Sequence, residues 1–178
     1  TSGLRVEMDL STQTRDLFWE PVDLVFRIGS PMDDRVVARK LWDVAAGLYS
    51  TPACLKRHGP LSDPQALTQV PCLQLTTTSG PMPWRVGGAH WVQAPGPVTL
   101  SANNVGLLVT LTAGGHGFAL LPRYLAIDFL RRGKLVESLP EAVIPAWPLY
   151  AITASRSLSP RVRNLITHVR ARLSEVTQ

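Results

Sequence analysis

Hydrophobic and polar positions alternate with a period of two at the start of the chain. Residues 4–10, LRVEMDL, place four apolar side chains on one face and three charged ones on the other, which predicts a half-buried strand. Ser11 or Thr12 can cap a short helix that Pro21 ends. Residues 22–29, VDLVFRIG, form a nearly continuous apolar run, typical of a parallel strand covered on both faces. Strand, helix and strand in this order predict a βαβ unit.

The pattern continues as strands alternating with short helices. Residues 35–52 are a long extended stretch, with Asp43 near the middle, where a strand can pass from one lobe to another. The last helix, 159–176, has an apolar stripe at helical spacing, formed by Val162, Leu165, Ile166, Val169 and Leu173. The other predicted helices begin at Thr51-Pro52, at Ser62 or Asp63, at Asn103 or Asn104, and at residue 123; the other main strands lie within 71–78, 98–102, 118–122, 134–140 and 147–155.

This alternation predicts an α/β protein. A first crossing near Asp43 and a second near Ala154 divide it into two lobes. The first lobe comprises residues 1–43 and 154–178 and takes both ends of the chain, while the second comprises residues 44–153. No internal repeat or low-complexity segment interrupts this pattern.

Composition narrows the class of protein. Hydrophobic residues make up 45% of the 178 residues and charged residues 17%, which suits a packed core. The net charge of +5 comes from scattered basic residues rather than a dense stripe, so it favours a solvated basic surface over direct nucleic-acid binding.

No apolar run approaches the roughly 20 residues of a membrane span, and residues 1–10 do not resemble a signal peptide. Cys54 and Cys72 are interpreted as reduced thiols, with a disulfide as the alternative.

The Gly-rich segment TAGGHGFALLP, residues 112–122, does not have the order of a phosphate-binding turn. Such a turn leaves a strand and enters a helix, whereas here a helix ends at the glycines and a strand follows. His116 lies between the glycines and is either a turn residue near a pocket rim or a hydrogen-bond donor to a ligand. No nucleophile, base and orienting acid can be assembled, and no histidine pair has metal-ligand spacing, so we expect neither an enzyme nor a metal or cofactor.

Polar side chains at the ends of predicted strands are the candidates for ligand binding. Asn103 and Asn104 begin a helix, where backbone N–H groups suit a carboxylate, or they act only as helix caps. Thr76 and Thr77 end a strand and either bond a ligand or form a plain turn. Arg27 ends another strand and is either salt-bridged or offered to an anion. Ser11 and Thr12 follow the first predicted strand, and ligands of open α/β sheets collect at such carboxyl ends.

Taken in order, these segments resemble the effector-binding domain of LysR-type transcriptional regulators. DLVFRIG is similar to a recurrent DLAIRIG-like stretch of that family, and YSTPACLKRHGPLSDPQALTQVPCL is similar to its SPAYLARHG…CL segment. PWRV, the segment from SANNVG to RYLA, and the segment from PLYAITAS to the last helix follow in the family's order. The resemblance covers nearly the whole chain.

The resemblance implies a fold of two Rossmann-like α/β lobes joined by two crossover strands, as in type 2 periplasmic binding proteins. A small, anionic effector would bind in the cleft between the lobes, lined by Ser11, Thr12, Arg27, Thr76, Thr77, Asn103, Asn104 and His116. Effector binding would change the angle between lobes or dimers and so act on attached DNA-binding domains by population shift. The family also implies a cytoplasmic homodimer or tetramer that reaches promoter DNA through an N-terminal helix-turn-helix domain, without a membrane partner.

The chain departs from the family pattern at its start. The family's helix-turn-helix, linker helix, and first strand and helix of the effector domain are not in this sequence, so we expect an N-terminally truncated domain whose first lobe lacks a strand. The alternative is a periplasmic solute-binding protein of the same fold, which a signal peptide encoded upstream would indicate. An enzyme acting in the same cleft is the second alternative, which turnover of a bound compound would indicate.

Overall fold

A computed structural model describes residues 4–11, 17–29 and 33–176. The chain divides into two compact units, one formed by residues 1–44 and 147–178 and the other by residues 45–146. The chain passes between them at residues 44–45 and 146–147. The sequence pattern predicts the second passage near Ala154 instead. The difference arises because residues 147–153 pair with strands of the first unit along their whole length.

The described residues of the first unit form an antiparallel sheet of three strands. Strand β11, Trp147–Thr153, lies between β1, Val25–Ile28, and β2, Val37–Val44. The last helix, α4, Pro160–Val176, packs on this sheet through the predicted apolar stripe: Ile166 forms a buried cluster with Leu41 and Ala151. The 3.6-residue periodicity of apolar residues therefore determines which face of the final helix packs on the sheet.

The second unit combines antiparallel and parallel pairing. Strand β3, Ala46–Ser50, lies between β9, Ala119–Pro122, and β10, Val136–Glu137, and both pairs are antiparallel. Strand β4, Cys72–Thr77, pairs in parallel with β8, Val98–Ala102, and antiparallel with the short β5, Gly80–Pro81. The start of β4 also joins the start of β9 in parallel, because Leu73 N–H donates to Phe118 O at 2.8 Å. A hairpin of β6, Trp84–Val86, and β7, Ala89–Trp91, completes the strands.

Three of the four helices of the second unit begin after a predicted capping residue, and α3 begins without a side-chain cap. In α1, Pro52–His58, the Thr51 side chain accepts from Cys54 N–H, and Asp63 caps a 3-10 helix, Pro64–Gln69. Helix α2, Val105–Ala113, and helix α3, Arg123–Arg131, each follow a strand, β8 and β9 respectively. Both pack on the sheet, in a core that includes Tyr49, Leu73, Leu108, Leu121 and Ala126.

The predictions for residues 4–29 are partly wrong. Residues 4–10 form no regular secondary structure, and Leu4, Val6, Met8 and Leu10 are exposed. An alternating segment becomes a strand only when a neighbouring strand accepts its hydrogen bonds, and none of the described strands pairs with this one. Strand β1 exists, but it is a half-exposed edge strand antiparallel to β11 rather than a buried parallel strand. The helix expected near Thr12 falls largely on residues 12–16, outside the described residues.

Candidate functional site

The carboxyl ends of three strands of the second unit point in one direction. Strands β4 and β8 are parallel, and β9 starts in parallel with β4. We define the carboxyl edge of this unit as the residues at the ends of these strands: Thr76 and Thr77 on β4, Asn103 and Asn104 after β8, and Arg123 after β9. Both helices that follow these strands begin at this edge. The positive ends of their dipoles therefore lie there too.

Two of the predicted site residues also serve the local backbone. The Asn104 side chain caps α2, since its Oδ1 accepts from Leu107 N–H at 2.9 Å. The Thr77 hydroxyl lies in the turn between β4 and β5, 2.9 Å from Ser79 Oγ and 3.0 Å from Gly80 O. For these two residues the cap and turn interpretations hold. Half-buried Thr76 and exposed Asn103 are adjacent to them on the same edge.

His116 does not join this group. It precedes β9 and is exposed, and Thr99 Oγ1 near the start of β8 contacts its backbone oxygen at 3.5 Å. It therefore lies at the amino ends of the parallel strands, at the opposite edge of the sheet from Asn104. The turn interpretation fits this position, because Gly114 ends α2 and Gly117 passes close behind Pro71, with a gap too small for a side chain.

The remaining predicted residues belong to the first unit. Arg27 lies half-buried on the edge strand β1, opposite Tyr150, and no described acidic residue forms an ion pair with it. Ser11 is exposed in the irregular segment that follows residues 4–10. Thr12 is outside the described residues.

The sequence pattern did not single out Arg123 at this edge or Tyr49 on β3. Tyr49 pairs with Ala119 at the start of β9, and its side chain extends past Gly47 towards the carboxyl edge. Arg123 is the first residue of α3, a helix with no side-chain cap and no acidic residue in its first turn. Its Nη1 lies 3.3 Å from Glu137 Oε2, with both side chains partly exposed. The sequence contains a signal for Arg123, because a basic residue directly follows the apolar strand FALLP. The asparagines after β8 were identified by the same criterion, a polar residue at the end of a predicted strand.

Tyr49 lies beside this ion pair. It is opposite Glu137 in the pairing of β3 with β10, and its side chain is fully buried. Its hydroxyl makes no well-formed hydrogen bond with a described residue, although the Arg123 guanidinium lies near enough to lower its pKa. Burial raises the pKa of this phenol and the negative charge of Glu137 raises it further, while Arg123 acts in the opposite direction. The hydroxyl is therefore a neutral donor at physiological pH.

The two cysteines are buried free thiols. Burial raises the pKa of both, and that of Cys72 reaches about 11. Buried thiols that keep their protons are poor nucleophiles and poor metal ligands. Within the described ranges, no cluster of three His, Cys, Asp or Glu side chains is arranged to hold a metal ion. None of the described helices is both long and apolar enough to cross a membrane.

An α/β fold of two units, with polar groups at the carboxyl edge of a partly parallel sheet, is typical of ligand-binding domains of the periplasmic-binding-protein type. The family model of the LysR substrate binding domain matches residues 2–174. The chain belongs to this family. Its family membership confirms the predicted fold and the prediction of a binding domain rather than an enzyme.

Relatives with similar sequences support this family assignment, and solved structures support the fold. The chain is 33% identical over 174 residues to the HTH-type transcriptional regulator PtxR of Pseudomonas aeruginosa, covering 96% of this chain and 55% of that protein. It is 29% identical to the HTH-type transcriptional regulator DmlR of Escherichia coli, covering 89% of this chain and 53% of that protein.

The regulatory domain of CrgA from Neisseria meningitidis has a TM-score of 0.67 at 21% identity, over 88% of this chain and 78% of that one. Full-length AphB of Vibrio cholerae has a TM-score of 0.70 at 21% identity, over 89% and 54%. This chain thus spans about half the length of the curated relatives it matches.

Proposed function

We propose that this chain is the ligand-sensing domain of a transcriptional regulator and binds a small carboxylate effector. One observation carries the proposal: the carboxyl edge of the second unit brings together a hydroxyl, two amides, a guanidinium and two helix N-termini. These groups donate hydrogen bonds and present positive potential, which is the chemistry that recognises a small anion. Family membership supports a regulatory use of that binding.

The wider role rests on the relatives. PtxR and DmlR are named HTH-type transcriptional regulators, and this domain accounts for about half of each. We propose that the full-length protein acts in the cytoplasm, binds promoter DNA through a helix-turn-helix domain, and does so as a homodimer or tetramer. Effector binding would shift the population of conformations that fit the operator. The location of the effector site between the two lobes stays a prediction. The contributions of Ser11, Thr12, Arg27 and His116 to that site stay predictions too.

Calorimetric titration of the chain with a panel of small mono- and dicarboxylic acids tests this proposal. We expect saturable binding by at least one acid and no binding by its amide. Thr76→Val keeps the side-chain shape and removes one hydroxyl, and Asn103→Ala removes one amide; each is expected to weaken binding about three- to tenfold. Asn164→Ala, on exposed α4, is the matched control and should leave the affinity unchanged.

Two outcomes would overturn the proposal. One is the absence of binding by every acid in the panel. The other is binding whose affinity is unchanged in both Thr76→Val and Asn103→Ala. Conversion of a bound acid into a product would favour the enzyme alternative instead.

A further inference from the structure

We infer that Arg123 and Tyr49 form an anion-binding subsite in which Glu137 occupies the place of the effector carboxylate until the effector displaces it. The inference rests on the proposed function, because it assigns residues of the same carboxyl edge to the effector's charged group.

The first observation is the unpartnered Tyr49 hydroxyl. A buried polar group without a hydrogen bond is rare in native proteins and calls for an explanation such as a missing ligand. Tyr49 is fully buried, and its hydroxyl lies against Gly47, where a Cβ would overlap the ring. Gly47 pairs with Leu121 on β9, next to Pro122 and the start of α3. The hydroxyl is therefore directed along the sheet towards the N-terminus of α3.

The second observation is the state of that N-terminus. The side chains of Thr51, Asp63 and Asn104 cap the other helices of this unit, whereas α3 has no side-chain cap. Its first turn contains no acidic residue, and its first N–H group, that of Arg123, already donates to Ala45 O at 2.8 Å. The following N–H groups of this turn and the helix dipole therefore have no negatively charged side chain as a partner. An anion bound there would satisfy both.

The third observation is the ion pair beside the hydroxyl. Arg123 Nη1 and Glu137 Oε2 are 3.3 Å apart, longer than the roughly 2.7–2.9 Å of a strong charge-assisted hydrogen bond. Relative side-chain exposures of 52% for Arg123 and 33% for Glu137 leave this contact open to solvent. A partly solvated, long ion pair is weak, so an incoming carboxylate can replace it at little cost. Once it does, the carboxylate faces the Arg123 guanidinium at the start of α3, and departure of the Glu137 side chain gives it access to the buried Tyr49 hydroxyl.

The side chain of Glu137 can leave Arg123 without disturbing the strand that carries it. It is the last residue of β10 and pairs with Tyr49, and the next residue, Ser138, donates its N–H to Leu48 O at 2.8 Å. Release of Glu137 from Arg123 would thus free one side chain without breaking the pairing of β10 with β3. The exchange is local and needs no unfolding of the strand.

The test measures binding of sodium benzoate and sodium malonate by calorimetry, with sodium chloride at matched ionic strength as the blank. Arg123→Gln is expected to weaken carboxylate binding about thirtyfold, because a charge-assisted hydrogen bond is lost. Glu137→Gln is expected to strengthen it about threefold, because the internal competitor loses its charge. Tyr49→Phe is expected to weaken it about fivefold while leaving the urea midpoint unchanged or higher, since the lost hydroxyl has no partner.

Two matched controls separate the subsite from general effects of charge and ring chemistry. Arg131→Gln, at the other end of α3, removes the same charge next to Asp128 and should leave carboxylate affinity unchanged. Tyr150→Phe, on β11 of the first unit, removes a hydroxyl elsewhere and should do the same.

Each result has a defined consequence. Weakened binding in Arg123→Gln together with strengthened binding in Glu137→Gln supports the inference. Binding that persists at full affinity in Arg123→Gln overturns the inference and leaves the proposed function standing. Glu137→Gln that binds more weakly than the unaltered chain also overturns it, because Glu137 would then be a supporting residue rather than a competitor. Absence of binding of both acids by the unaltered chain overturns the inference, while the proposed function is judged by the full acid panel.

Discussion

At the scale of single residues, the buried amide of Gln74 holds a loop to β4. Its Nε2 donates to Leu75 O at 2.6 Å and Met82 O at 2.9 Å, and its Oε1 accepts from Ala94 N–H at 2.6 Å. Gln74→Leu would remove this partner from the partly buried Met82 O and from the buried Ala94 N–H. We expect it to lower the free energy of unfolding by about 3 kcal/mol in urea titrations. The exposed Gln65→Leu is the control, and a loss in Gln74→Leu no larger than in that control would contradict the assignment.

Cys72 makes stability depend on pH in the alkaline range. Its pKa is about 11 in the folded chain and about 9.0 in the unfolded chain, because burial disfavours the thiolate. Between these values the unfolded state binds fewer protons than the folded state, so stability falls as pH rises. The loss attributable to this thiol is about 2 kcal/mol by pH 11.

Replacing the thiol isolates this contribution. In Cys72→Ala the free energy of unfolding should fall less between pH 9 and pH 11 than in the unaltered chain, whatever the variant's stability at pH 7. Urea titrations at several pH values measure the two slopes, and equal slopes would show that the thiol does not titrate differently in the two states. Cys54→Ala should change the slope in the same direction, since burial also raises that pKa.

At the scale of elements, the turn between α2 and β9 depends on Gly117. Its φ of +153° is disfavoured for L side chains, and a Cβ would lie 2.6 Å from Pro71 O, which accepts from Phe118 N–H. Gly117→Ala must therefore displace the backbone that joins β4 to β9, and we expect a loss of about 3 kcal/mol in the free energy of unfolding. The control is Gly133→Ala, where φ is +66° and no atom lies within 4 Å.

Comparing the two variants distinguishes the cost of the backbone conformation from the cost of the steric overlap with Pro71. Gly133→Ala should cost only about 1 kcal/mol, the penalty of the left-handed region by itself. Thermal or urea unfolding of both variants measures the difference. Equal losses in the two variants would show that the close approach to Pro71 is not what requires glycine in this turn.

Elements differ in how far their own sequences specify them. Capped, periodic segments such as α1, α2 and α4 form where the pattern predicts, because caps and apolar stripes act within a few residues. Residues 4–10 have an equally clear pattern and yet form no strand. The same holds for the pairing of β1: an apolar run indicates a strand but does not reveal whether its neighbour is parallel or antiparallel.

At the scale of the whole molecule, the second unit is continuous in sequence from residue 45 to residue 146 and contains its own hydrophobic core. We expect residues 45–146 expressed alone to fold cooperatively, because the strands, α1, α2 and α3 of this unit all pair and pack within it. Circular dichroism and urea unfolding measure this directly. A non-cooperative transition would show that the second unit depends on the first unit for its stability. The first unit is discontinuous in sequence and contains both ends of the chain.

The sequence by itself determined the alternation of helices and strands, the helix caps and the family. These depend on short-range preferences and on the order of segments along the chain, which the residues carry directly. It also placed Thr76, Thr77, Asn103 and Asn104 at strand ends, where the structure finds them on one edge.

Only the tertiary structure decided which strand ends share an edge. Pairing of β4 with β8 and β9 puts Arg123 on the same edge as the asparagines and His116 at the opposite edge, although His116 is closer to Arg123 in sequence. Pairing of β3 with β10 likewise brings Tyr49 to Glu137. Such contacts join residues far apart along the chain, and long-range pairing follows from the packing of the whole unit rather than from any local pattern.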